Sequence, residues 1–271
     1  MASKNSKSVG LGIAVLVGVV LGLAYYEISH KTTEIATPPP VVVAVSPSAS
    51  PNQAEAPAST ERYPPPKKRT PTQGAKTLPA LEESDLTLEE ILANLVGKDV
   101  FQKLFFKNEM ISRLVATVDN AKNSTMPTDL LPFHPVPHVF KVIHKGEQTF
   151  MDPKNYERYL PYVKMLETVD VKKLADIYFE FYPLIQDAYR ETSPEGYFND
   201  RVIATIDNLV STPEVKEPIE LNTLNKSYQY TDKSNEELTA GQKVLVRMGP
   251  ESARKMKTKL SQLRNILILG Q

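Results

Sequence analysis

Cysteine and tryptophan are both missing from the chain. Without cysteine there are no disulfides, iron–sulfur clusters, thiolate zinc sites or cysteine nucleophiles. That absence does not identify the compartment, since an oxidising space permits disulfides without requiring them. Net charge is missing as well: 32 Lys and Arg stand against 32 Asp and Glu. No cationic surplus therefore draws the chain to nucleic acid, and a charge-driven partner must engage a local patch. There is no Gly-rich phosphate loop, no Gly-x-Ser-x-Gly elbow and no His-Glu-x-x-His, so nucleotide, α/β-hydrolase and common zinc-protease chemistries lack their minimum parts. His134, His138 and His144 lie close in sequence, but no carboxylate stands at helical metal-ligand spacing. They read as exposed loop residues, with no metal and no cofactor expected.

What is present divides the chain into unlike parts. Residues 9–26 run without a charge from Val9 to Tyr26; at 1.5 Å per residue that is roughly 27 Å, close to the hydrocarbon thickness of a bilayer. Lys4 and Lys7 precede the run and Glu27, His30, Lys31 and Glu34 follow it. The positive-inside bias then places residues 1–8 in the cytoplasm and the bulk of the chain in the periplasm. A cleaved signal peptide is the competing reading, with Gly22-Leu23-Ala24 as a small-x-small triplet, but the apolar stretch is longer than a usual signal core. Residues 27–77 are rich in Pro, Ala, Ser and Thr, including Pro38-Pro39-Pro40 and Pro64-Pro65-Pro66. They are too poor in large apolar side chains to bury a core and read as a disordered tether.

From Leu78 apolar residues return at helical spacing, enough for one substantial core or two small lobes over 78–271. Helices are expected from Ser84 or Asp85 to Gly97, from Asp99 toward Asn108, along the stripe Ile111, Leu114, Val115 and Val118, after Asp152-Pro153, and after Asp170. Further helices are expected after Asn199, at a capping box Ser234–Glu237, and beyond Gly249-Pro250. Pro161 and Pro183 should kink or break their segments. A β-hairpin is expected between Val139 and Met151 and another strand between Ile219 and Tyr230. The fold class is mainly α with minor β.

The most specific pattern is internal. Arg113-Leu-Val-Ala-Thr-Val-Asp-Asn120 recurs as Arg201-Val-Ile-Ala-Thr-Ile-Asp-Asn208, every difference being an exchange among branched aliphatics. An aromatic-x-Asp element follows each copy, Phe150-Met151-Asp152 and Tyr230-Thr231-Asp232. The domain therefore reads as two repeats, about 85–169 and 170–250, with the last helix opening an unfinished third. Arg113, Thr117 and Asn120 share one helix face, as do Arg201, Thr205 and Asn208. Either these faces meet about a pseudo-two-fold axis, Arg113 with Asp207 and Arg201 with Asp119, or two arginines line a ligand site. Asp200 and Glu191 are the carboxylates to consider for a general acid.

The chain also resembles a bacterial family of membrane-anchored proteins known as a domain of unknown function, number three thousand and fourteen. The residues carrying the resemblance are Leu78–Leu81 with Ser84-Asp85, Arg113–Asn120, Asp152–Tyr156 with Arg158-Tyr159 and Pro161–Val163, Gly196–Arg201, and Gly241–Lys243 with Arg247–Glu251. The resemblance implies the envelope of Gram-negative bacteria and supplies no activity and no catalytic residue. A non-enzymatic interaction or scaffold module, bound to another envelope protein or to peptidoglycan, is the expected function. A cell-wall hydrolase with a carboxylate acid is the alternative.

Overall fold

The computed structural model describes residues 61–64, 78–127, 129–224 and 227–269; the expected membrane segment lies outside them. Helix α1 (Ser84–Val96) buries Leu88, Leu92 and Val96 at intervals of four and stops at Gly97, whose φ of 94° suits glycine. After α2 (Lys98–Leu104) comes α3 (Met110–Asn120), which buries Ile111, Leu114, Val115 and Val118 on the expected stripe. Asp85 does not cap its own helix. Its carboxylate accepts from the amides of Glu109 and Met110 at 2.7 and 2.9 Å, holding the start of α3 where Glu109 turns left-handed.

Strands β1 (Val142–Lys145) and β2 (Gln148–Met151) form the expected hairpin around Gly146. Asp152 caps the 3-10 helix Pro153–Tyr159, which leads into α4 (Leu160–Thr168) and the 20-residue α5 (Val171–Arg190), capped by Asp170. Pro161 falls in the first turn of α4, where its missing amide costs nothing. Pro183, expected to kink or break its segment, lies inside α5. Its side is exposed, so water can meet the carbonyl left without a donor, while Leu174, Tyr178, Phe181 and Ile185 hold the other side in the core.

The order then repeats: α6 (Phe198–Val210), β3 (Glu220–Leu224), β4 (Ser227–Tyr230), a short α7 (Lys233–Glu236) capped by Asp232, α8 (Ala240–Arg247) and the 20-residue α9 (Pro250–Leu269). The capping box falls at Thr239 and Gln242 rather than at Ser234–Glu237, because Asp232 already accepts from the amides of Ser234 and Asn235. Helix α9 packs on α4, α5 and α6. Its Met256, Leu260, Leu263 and Leu267 are buried, each contributing about 1.5–3 kcal/mol. Counted from Met110, α9 follows α8 as α5 follows α4.

The four strands form one antiparallel sheet in the order β1-β2-β3-β4, with Thr149 opposite Leu221. A two-fold axis between the hairpins would pair like strands, β1 with β3 or β2 with β4; pairing β2 with β3 makes the arrangement head-to-tail. The helices share the main core, and a second apolar cluster of Met151, Ile219, Leu221, Tyr230, Leu238 and Val246 lines the sheet.

Between α8 and α9, Gly249 has a φ of 82°, and a Cβ there would stand 2.7 Å from the Tyr156 ring. Gly249→Ala should cost about 1–2 kcal/mol, the left-handed backbone adding to the displaced ring. Chemical denaturation measures this, and an unchanged midpoint would contradict it.

Candidate functional site

The polar face of α6 meets the C-terminal end of α3 at a seam between the two helices. A helix leaves its last four carbonyls without internal donors. For α3 two of them are met from α6: Thr205 Oγ1 donates to the Val118 carbonyl at 3.2 Å, and Arg201 Nη2 donates to that of Asp119. Arg201 Nε also lies 2.9 Å from the Asp119 carboxylate. A cation at a helix C-terminus gains from the helix dipole as well. Asn120 closes the same end, Nδ2 donating to Ala116 O, while the amides of Ala240 and Gly241 at the head of α8 reach the carbonyls of Asn123 and Ala121. Asn208 accepts from Thr239 Oγ1 at 2.9 Å, and its carbonyl accepts from Gln242 Nε2 at 3.0 Å.

The reciprocal pair does not form. Arg113 turns toward the loop after α3, donating to the carbonyls of Asn108, Asp129 and Leu131 and pairing with Glu109, with its guanidinium over the Phe106 ring. Thr117 bonds back to the carbonyl of Arg113. Asp207 is held by both prongs of Arg264 from α9. The cause is the head-to-tail arrangement, in which the front of one unit meets the back of the next and only one cross-pair can close. The two arginines do not share a pocket.

A different site stands at the head of α6. Asn199 is fully buried, and its Oδ1 accepts from the buried hydroxyl of Tyr178 at 3.0 Å. That bond leaves Nδ2 facing outward, where it donates to the carbonyl of Tyr63 at 2.8 Å. Asp200 beside it accepts from the amides of Arg62 and Tyr63 at 2.9 and 2.7 Å. Four residues of the expected tether, 61–64, thus lie on the domain, with the Tyr63 ring packed against the main core. Asn199 therefore does not cap α6. Gln186 holds the first amide there, accepting from Phe198 N at 2.8 Å and donating to Gly196 O. Burial, then the nearby Asp200 charge, raise the carboxyl of Glu61 above its ordinary value, with Arg190 opposing. Sequence reasoning singled out Asp200 as a carboxylate but not the backbone it holds.

The remaining candidates are scattered. Among the described residues no group of three His, Cys, Asp or Glu is placed to hold a metal. His134 packs on Phe106, and His144 Nδ1 shares a hydrogen bond with Thr149 Oγ1. Glu191 sits exposed at the end of α5. Of the tyrosines, Tyr159, Tyr162, Tyr178 and Tyr189 are core residues.

The described residues define a mainly helical domain with one small antiparallel sheet, in which a repeated sequence carries a repeated order of elements. The chain belongs to the family described as protein of unknown function, DUF3014, which matches residues 110–264. The match begins with α3 and ends within α9, covering the two repeated units and leaving α1 and α2 outside. No curated protein and no solved structure matches the chain.

Proposed function

We propose that this protein is a membrane-anchored, non-enzymatic interaction module of the bacterial envelope, its helical domain held in the periplasm by the proline-rich tether, of which residues 61–64 lie on the domain. The observation that carries the reading is the employment of these polar residues: Arg201 and Thr205 cap α3 from α6, Asp119 pairs with Arg201, Asn120 bonds within its own helix, Asn208 is held from α8, and Asp200 binds backbone amides. Those side chains serve as structure and as a peptide contact. The uncharged run of residues 9–26 supports the anchor. No helix among the described residues is long and apolar enough to cross a membrane, so the anchoring rests on that run.

Cross-linking of the full chain in cells, read by mass spectrometry, should return an envelope protein or peptidoglycan fragments as partner. Incubation of the purified chain with peptidoglycan should release no muropeptides; their release would replace this reading with a hydrolase. A reporter fused after Gln271 should be active only outside the cytoplasm, and the opposite result would remove the periplasmic setting.

A further inference from the structure

We propose that the head of α6 is a binding site for an extended peptide carrying an aromatic–proline step, filled in cis by Glu61–Pro64 and open to the same sequence in trans. Three observations carry the inference. The site is held by the domain itself: the buried hydroxyl of Tyr178 bonds Asn199 Oδ1 and so fixes which way its amide faces, independently of the occupant. The three bonds go to main chain alone, from the amides of Arg62 and Tyr63 to Asp200 and from Asn199 to the carbonyl of Tyr63. A proline-rich segment in extended form has no internal hydrogen bonds, so its main-chain groups are free to be read in this way.

The side chains set the selectivity. The residues at 62 and 63 must carry amide hydrogens, which excludes proline there, and the Tyr63 ring must reach the core. Pro64 follows at once. The site therefore suits the first proline of a run, preceded by an aromatic residue and a second non-proline residue, and residues 61–66 read Glu-Arg-Tyr-Pro-Pro-Pro. Arg62 lies 5.9 Å over the Tyr63 ring and is itself exposed.

Exchange follows from the size of the contact. Three hydrogen bonds and one partly buried ring must offset the ordering of four residues, and those opposing contributions are similar in size. The 13 residues between Pro64 and Leu78 hold the cis segment at an effective concentration of order millimolar, so a trans peptide competes poorly until the cis segment is weakened. On the anchored reading, release would lengthen the span from Thr32 to the domain from roughly 90 to roughly 140 Å at full polyproline extension. The binding site itself does not depend on that reading.

The test uses the full chain and a fluorescently labelled Glu-Arg-Tyr-Pro-Pro-Pro peptide, followed by polarisation. Tyr63→Ala, which weakens the cis segment by removing its ring, should bind the peptide at least tenfold more tightly than wild type, and adding Asp200→Ala should abolish that binding. Because the chain has no tryptophan, Tyr63→Trp reports on the cis state directly. Its emission should be shielded from a soluble quencher and become several-fold more quenched when Asp200→Ala is added, with unchanged circular dichroism. A shielded indole in Tyr63→Trp, combined with no peptide binding to Tyr63→Ala, would overturn exchange and make the segment a fixed part of the fold. An indole as open to quencher as one in the free peptide would overturn the site altogether.

Discussion

Arg201→Asp should destabilise the domain by about 3 kcal/mol, and Asp119→Arg should recover part of the loss. The substitution removes the charge-assisted bond and the ion pair at the end of α3 and sets two carboxylates together. In the double variant the ion pair is re-formed with its sense reversed. The recovery is partial, because Arg201 also serves the Asp119 carbonyl, which an aspartate cannot do. With about a third of each side chain exposed, solvent limits the pair, and a coupling of about 1–2 kcal/mol is expected. The parallel cycle of Arg113→Asp with Asp207→Arg should be additive to within about 0.5 kcal/mol, since these residues bond to Glu109 and loop carbonyls on one side and to Arg264 on the other. Denaturant midpoints of the variants in both cycles supply the measurement. Coupling in the second cycle would restore the two-fold arrangement that the strand order excludes.

Much of the architecture was legible because it is written locally. The i, i+4 stripe of Leu88, Leu92 and Val96, the aspartate before Val171, and the turn at Gly146 each carry their cause within a few residues. The duplication was legible for the same reason. How two copies sit against each other is a different matter, since two-fold and head-to-tail packing use the same apolar stripe. The register of β2 against β3 decides between them, and nothing in either hairpin announces it. Asp207 found Arg264 and not Arg113 as a result. Pro183 does not break its segment, because the buried side of α5 holds the helix through it. Asp200 was noticed as a carboxylate but its role was hidden, as its partners lie 137 and 138 residues away in a segment whose composition reads as tether.

Stability should fall steeply at alkaline pH, and tyrosine is the reason. Burial pushes the phenols of Tyr159 and Tyr162 up to about 12 from an ordinary 10. The folded state thus keeps these protons at a pH where the unfolded chain releases them. Their stabilisation is intact below pH 10 and is lost as pH rises toward 12. Each residue should forfeit about 1.4 kcal/mol by about pH 11 and about 2.7 kcal/mol once both states are ionised. The buried Tyr178 and Tyr230 are shifted in the same direction for the same cause. Tyr159 separates this effect from lysine deprotonation, because its buried hydroxyl has no hydrogen-bond partner among the described residues. Tyr159→Phe should therefore keep or slightly raise stability at neutral pH, where a buried polar group without a partner is a cost. It should also flatten the alkaline fall by about 1.4 kcal/mol between about pH 9 and about pH 11. Urea unfolding of both proteins at those two pH values measures the slope. Equal slopes would mean that the Tyr159 phenol ionises alike in both states and that its burial carries no pH-dependent stability.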